Sequence, residues 1–248
     1  MDRHLYTAAA HHDLEFANPL SEPTIGRALG LLALPDGALV IDIGCGKGEI
    51  AVRIARRWRG TVDAVDASES MIAGVRARAQ GSGVNAVLGD AGAFARAAQA
   101  GSYDGAVCIG SSHALGGALP ALGEIARLLR PGGEALIGEG VWEREPPPEY
   151  LAATGIGRDE MPTLGALAAA AGAAGLAVRW AVTSTQREWD EYEWAHARGI
   201  ESFAAQNPHH HDTGAMLARS RGWRAAYLAH GRGVLGFALL ICRRAPEG

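Results

Sequence analysis

Short apolar runs alternate with amphipathic stretches over the first 140 residues of the chain. The runs are ALVIDIG (38 to 44), TVDAVDA (61 to 67), VNAVLGD (84 to 90), YDGAVCIGS (103 to 111) and EALIGEG (134 to 140). Between them, EIAVRIARRW, SESMIAGVRARAQ, AGAFARAAQ and LPALGEIARLLR carry apolar residues at helix-compatible intervals. This succession predicts a parallel sheet with crossover helices, an α/β fold. Further on, LGALAAAAGAAGLAV reads as an alanine-rich helix, a turn at Gly175 and the start of a sixth strand, LAVRWAVTST (176 to 185). Pro146 to Pro148 mark an exit from the sheet. Two helix-like segments, 186 to 206 and 212 to 230, precede a final apolar run, GVLGFALLIC. Trp189, Tyr192, Trp194, Phe203, Trp223 and Tyr227 gather there, so 186 to 230 reads as a helical cap inserted before the last strand.

A chain of 248 residues suits one elaborated domain, with an N-terminal helical segment (1 to 34), a ligand-binding core (35 to 140) and a substrate side with the cap and final strand (141 to 248). The net charge of −4, with no long run of one sign, gives no electrostatic case for nucleic acid or an anionic membrane. GVLGFALLIC has about half the roughly 20 apolar residues of a membrane span. The N-terminal MDRHLYTAAAHHDLEF lacks the apolar stretch of a signal peptide, and Cys45, Cys108 and Cys242 form no CxxC pair. A cytoplasmic protein, monomeric or homodimeric and acting on a small molecule, is the expectation.

VIDIGCGKGEI, residues 40 to 50, is the most informative stretch. Gly44, Gly46 and Gly48 follow a strand and open a helix, where a backbone without Cβ atoms can approach a nucleotide-type ligand and the helix N-terminus favours an anion. The spacing is GxGxG, and Glu49 stands where a dinucleotide fingerprint has its third glycine. Asp66 ends the second strand, in place to accept hydrogen bonds from both ribose hydroxyls. Its neighbour Asp63 should face elsewhere. Asp90 ends the third strand, where it can accept from an adenine amine, cap the helix beginning at Ala91, or do both.

With VDAVDAS, VLGDAGAF, YDGAVCIGSSHA and LLRPGGEALIGE in order, residues 35 to 140 resemble the class I S-adenosylmethionine-dependent methyltransferase family. The resemblance implies a Rossmann-like, doubly wound sheet of seven strands with the last antiparallel, and S-adenosylmethionine as cofactor. It implies that Asp42 with Gly44, Cys45, Gly46 and Gly48 holds the methionine end, Asp66 the ribose, and Asp90 with Ala91 the adenine, with Ala67 and Met71 among the other cofactor contacts. Ile109 and Gly110, leading to Ser111, would line the floor near the sulfonium, and Arg130 to Gly133 would form a structural turn before the fifth strand. FANPLSEPTIGRALGLLALPDG resembles the N-terminal helix of small-molecule methyltransferases. There Asn18 or Ser21 contacts the cofactor, or the segment is a plain turn and N-cap before a helix at Pro23.

The expected reaction moves a methyl group to an oxygen or nitrogen nucleophile of a small organic metabolite. A non-catalytic adenosylmethionine-binding protein and a nicotinamide-dependent reductase are the alternatives; the absent third glycine and TyrxxxLys pair speak against the reductase. His113, just past the fourth strand, is the candidate general base and a substrate contact. Glu139 and Trp142, at the end of the fifth strand, are candidate substrate contacts, as are Tyr192, Trp194 and His196 in the cap; Arg144 and Tyr150 are weaker ones. Trp189, Tyr192 or Glu193, and His196 recur at helical spacing, which also suits a face packed on the sheet. His209 to His211 lie in a Pro-initiated turn and are not expected to bind metal. His11 and His12 stay ambiguous, in a segment that could lie across the substrate site.

Overall fold

The computed structural model describes residues 1 to 246. Among them, β1 (Leu39–Ile43), β2 (Thr61–Asp66), β3 (Val84–Leu88), β4 (Tyr103–Ile109), β5 (Leu129–Trp142), β6 (Leu176–Thr183) and β7 (Leu235–Arg244) form one sheet, ordered β3-β2-β1-β4-β5-β7-β6. The first five strands are parallel. β7 runs antiparallel to both its neighbours, as the family resemblance implied.

The central strands are apolar on both faces because helices cover both faces. Val40 falls in one cluster with Ile54 of α3 (Glu49–Trp58), Ile72 of α4 (Glu69–Arg78) and Tyr150 of α7 (Pro148–Thr154). Ile41 and Ile43 point the other way, into a cluster that includes Ala95 of α5 (Ala91–Ala97), Ile125 of α6 (Ala118–Leu128) and Leu167 of α8 (Leu164–Ala173). Strand order reverses between β1 and β4. The chain therefore leaves these two strands in opposite directions and opens a crevice at their carboxyl ends.

One boundary differs from the sequence expectation. β5 begins at Leu129, and the Arg130 to Gly133 segment is a bulge within it: Leu129 pairs with Tyr103, and pairing resumes with Glu134 opposite Gly105. Gly132, at φ 79°, lets the extra residues fold out without ending the strand.

The cap is where the sequence placed it, as α9 (Gln186–Gln206) and α10 (Thr213–Ala226) between β6 and β7. Thr185 and Glu188 form a capping box that starts α9. The N-terminal segment is less uniform than expected. It contains α1 (Arg3–Ala10) and α2 (Glu22–Leu31), joined by an irregular strap. Tyr6, Ala9 and Ala10 of α1 pack on Ile200 of α9 and Met216 of α10.

Three charged side chains hold the strap. Lys47 donates to the carbonyls of His12 (2.6 Å) and Leu14 (2.9 Å), and Arg53 pairs with Glu15, Glu22 and Glu49. Glu188 accepts from the Ser21 N–H and the Thr24 hydroxyl, tying the cap to the start of α2. Burial alone would raise the Glu188 pKa; the hydrogen bonds from Ser21, Thr185 and Thr24 outweigh it and hold the pKa at about 2. No helix of the described residues is long and apolar enough to cross a membrane.

Candidate active site

The turn after β1 is shaped by three left-handed glycines, Gly44, Gly46 and Gly48, at φ 70°, 52° and 73°. Their reasons differ. A Cβ on Gly44 would stand 2.4 Å from the Ser111 Cβ, so this glycine lets the ends of β1 and β4 touch; the Ser111 hydroxyl donates to the Ile43 carbonyl across that contact. A Cβ on Gly48 would meet the Val75 side chain at 2.8 Å, which brings α3 against α4. A Cβ on Gly46 would meet no protein atom within 4 Å, although Gly46 lines the recess beside the turn. The backbone at Gly46 is thus open to the recess.

Two carboxylates share this region. Asp42 is 3% exposed, and burial, with the Asp66 charge adding to it, raises its pKa to about 7. A cationic group or a set of hydroxyl donors would relieve this crowding, and S-adenosylmethionine brings both. Asp66 accepts from the Gly46 N–H and the Ser68 N–H, each at 2.9 Å, so it fixes the glycine turn while keeping acceptor capacity for hydroxyls. Asp63 does face elsewhere, toward Asn85 and the Tyr103 hydroxyl. Asp90 caps α5 through the Ala93 N–H at 2.6 Å and is otherwise exposed. Ala67 is exposed at the lip, whereas Met71 and Ala91 are buried.

The recess itself, lined by Asp42, the glycine turn, Val107, Ile109 and strap residues Phe16 to Asn18, has a volume of about 50 Å³. That is room for about one or two waters, because the strap lies over it. Asn18 is buried, and its side chain accepts from the Leu20 N–H, while Ser21 caps α2; both expectations for a turn and N-cap describe this segment.

Next to the recess lies a chamber of about 450 Å³ under the cap. Ala17 and Asn18 line both cavities, and the chain passes from the recess at Ile109 into the chamber at Gly110. The structure brings Glu139, Tyr192 and His196 together on its wall. Tyr6, Arg219 and Phe237, which sequence reading did not propose, also line it, as does Trp223, named there only among the cap aromatics. Arg219 and Trp223 stood in the cap segment and Phe237 in the final apolar run, but α1 and α10 carry no motif, and their meeting with α9 is a tertiary event.

The polar groups of the chamber are largely paired. Glu193 is buried and accepts from the Trp223 indole at 2.9 Å to each oxygen and from the Trp189 indole at 3.3 Å. The Tyr192 hydroxyl meets His11 Nε2 at 2.9 Å, which gives the ambiguous His11 a place in the site. Burial, then the nearby His11 and Arg219, lowers the His196 pKa to about 4, so this imidazole is neutral at ordinary pH. Glu139 differs. Its Oε1 accepts from the Gly140 N–H at 3.1 Å, whereas Oε2 is buried and has no hydrogen-bond partner. Burial raises its pKa, and the neighbouring Ser112 hydroxyl, the Gly140 N–H and the His113 charge oppose the rise.

Other candidates stand outside the chamber. His113 is exposed on the 3₁₀ turn Ser112–Leu115, and with Trp142 it lines an open groove of about 1040 Å³ that the chamber meets at Gly110 and Glu139. Trp142 is buried, and its indole donates to the Arg158 carbonyl. Trp194 is 44% exposed beneath the Arg224 guanidinium, because the inward face of α9 runs through positions 189, 193 and 196 and leaves 194 outside. His210 stacks on His211, and Asp212 accepts from the Asp2 N–H; the three have ligand-type atoms within 4.8 Å of one another, in a turn remote from the chamber lining. Cys108 and Cys242 are buried, and burial pushes both thiols up to about 12.

Residues 40–133 match the model of a family described as a methyltransferase domain. The chain is 31% identical over 207 residues to the uncharacterised protein YjhP of Escherichia coli, covering 76% of this chain and 81% of that one. A solved S-adenosylmethionine-dependent methyltransferase from Geobacter sulfurreducens, in complex with S-adenosylhomocysteine, superposes with a TM-score of 0.87 at 26% identity, over 100% of this chain and 99% of that one. Another from Thiobacillus denitrificans, also with S-adenosylhomocysteine, gives 0.83 at 25% identity over 98% of each chain. The chain belongs to the class I S-adenosylmethionine-dependent methyltransferase family. It is an S-adenosylmethionine-dependent methyltransferase, and the nicotinamide reading falls away.

Proposed function

We propose that this enzyme methylates an oxygen or nitrogen nucleophile of a small organic metabolite held in the chamber under the cap. The carrying observation is that the chamber and the glycine-turn recess share a border at Asn18 and along Ile109 and Gly110. At about 450 Å³ the chamber is the size of a small-molecule site, walled by aromatic rings with a few polar groups.

S-adenosylmethionine supplies a methyl group on a sulfonium whose departing sulfur is neutral. The side chains therefore align the acceptor, exclude water and manage one proton. In this reading Asp42, Gly44, Cys45, Gly46 and Gly48 hold the methionine end, Asp66 the ribose, and Asp90 with Ala91 the adenine, with Ala67 and Met71 among the other cofactor contacts, while Ile109 and Gly110 floor the reacting centre. Glu139, Tyr192 and His196 contact the acceptor. His113, at the solvent-facing rim and near enough for its charge to act on Glu139, takes the proton outward.

A turnover screen over small phenols, amines, thiols and acids, read by S-adenosylhomocysteine release, tests the reading. Turnover of at least one small acceptor is expected; methylation confined to protein or nucleic acid overturns it. His113→Ala should lower turnover at least tenfold with S-adenosylhomocysteine affinity retained. Equal losses in both would make His113 structural.

A further inference from the structure

Among the described residues, the chamber contains one buried side-chain atom without a hydrogen-bond partner, Glu139 Oε2. By contrast Glu193 is satisfied by two indoles, and Tyr192 is engaged by His11. An orphaned carboxylate oxygen calls for a donor from the ligand, since an acceptor buried without one costs free energy. Glu139 lies at the carboxyl end of β5, and Gly138, one residue back, pairs with Ile109 of the recess lining. The Glu139 backbone is thus one residue beyond that pairing, and its side chain lines the chamber.

We propose, resting on the acceptor site described above, that the acceptor is an amine and that Glu139 binds it as an ammonium. Three features favour nitrogen over oxygen. A desolvated carboxylate gains most from a charged donor. The walls carry the aromatic rings of Trp189, Tyr192, Trp223 and Phe237, and aromatic rings attract cations more than anions. An anionic acceptor, a carboxylate or thiolate, would be set against the like charge of Glu139, while the guanidinium of Arg219 lies over the Tyr6 ring, 5.4 Å from its centroid.

The proton balance is simple. The bound ammonium gives one proton to Glu139 Oε2, which frees the nitrogen lone pair. That pair forms the new nitrogen–carbon bond as the methyl–sulfur bond breaks, its electrons leaving on the neutral sulfur. The proton passes from Glu139 to solvent at the His113 rim, so one proton is released for each methyl transferred.

The test is calorimetric binding to the protein saturated with S-adenosylhomocysteine, using arylalkylamines such as 2-phenylethylamine against their matched alcohols and carboxylates. Amines should bind at least tenfold more tightly than the matched alcohols, and carboxylates should not bind. Glu139→Gln should remove that preference and leave S-adenosylhomocysteine affinity within about twofold, whereas Glu139→Asp, which keeps the charge, retains part of it. The proposal is overturned if alcohols or carboxylates bind as tightly as amines, if no amine binds the loaded protein, or if Glu139→Gln leaves the preference intact. Failure of S-adenosylhomocysteine itself to bind would instead strike the cofactor site, and the amine proposal would fall with it.

Discussion

Replacing Gly46 by alanine separates the two tasks of the glycine turn, holding its own shape and admitting a ligand. Gly46 is at φ 52°, in the left-handed region, where a residue with a Cβ pays about 1–2 kcal/mol. The new Cβ meets no protein atom within 4 Å, so no clash adds to this. In a chain of this size 1 kcal/mol shifts Tm by about 2–4 °C, so the variant should melt about 2–8 °C lower and remain folded. The methyl nevertheless fills the cradle facing the recess, and overpacking of about 1–3 kcal/mol should weaken S-adenosylhomocysteine roughly 5- to 150-fold. Gly44→Ala is the contrast. It carries the same left-handed cost, at φ 70°, plus a Cβ 2.4 Å from that of Ser111, so its stability should fall by several kcal/mol. Melting by scanning fluorimetry and binding by calorimetry give both readouts. A Gly46→Ala variant that binds within twofold of wild type would refute the reasoning, as would a Gly44→Ala variant no less stable than it.

Asp42 makes apo stability depend on pH with a definite sign. Its pKa is raised to about 7, so between about pH 4 and 7 the folded state holds a proton that the unfolded chain, with an Asp pKa near 3.9, releases. Wild-type stability should therefore fall as pH rises through that window, and the Tm advantage of Asp42→Asn over wild type should widen with pH; a gap independent of pH refutes this. Trp223→Phe leaves Glu193 with only the 3.3 Å bond from Trp189, and should cost about 1–3 kcal/mol; an unchanged urea midpoint would count against the pairing. Lys47→Met removes two bonds to the strap, so limited proteolysis between residues 11 and 21 should quicken in the apo protein, and cleavage at the wild-type rate would show that Lys47 does not hold it.

The family was legible because its motifs depend on local chemistry. The glycine spacing, Asp66 at one strand end and Asp90 at the next are separated by single βα units, and each was placed by the strand that precedes it. Asp90 caps α5, one of the two readings its position allowed, and its carboxylate stands exposed at the end of β3. The acceptor side was not legible in this way. Within α9, spacing flagged Tyr192 and His196 but could not say that Trp194 points outward, because the inward arc is set by what packs beneath it.

By itself the sequence determined the α/β order, the GxGxG turn and the identity of the carboxylates, because apolar periodicity and glycine's freedom at positive φ act over a few residues. Tertiary structure alone decided that residues 11 to 21 fold back over the turn, that Tyr6 and Arg219 come from distant helices to complete the chamber, and that one oxygen of Glu139 is buried without a partner. Those outcomes rest on contacts between residues up to about 200 positions apart in sequence, and burial or an unmet hydrogen bond exists only once such contacts are made.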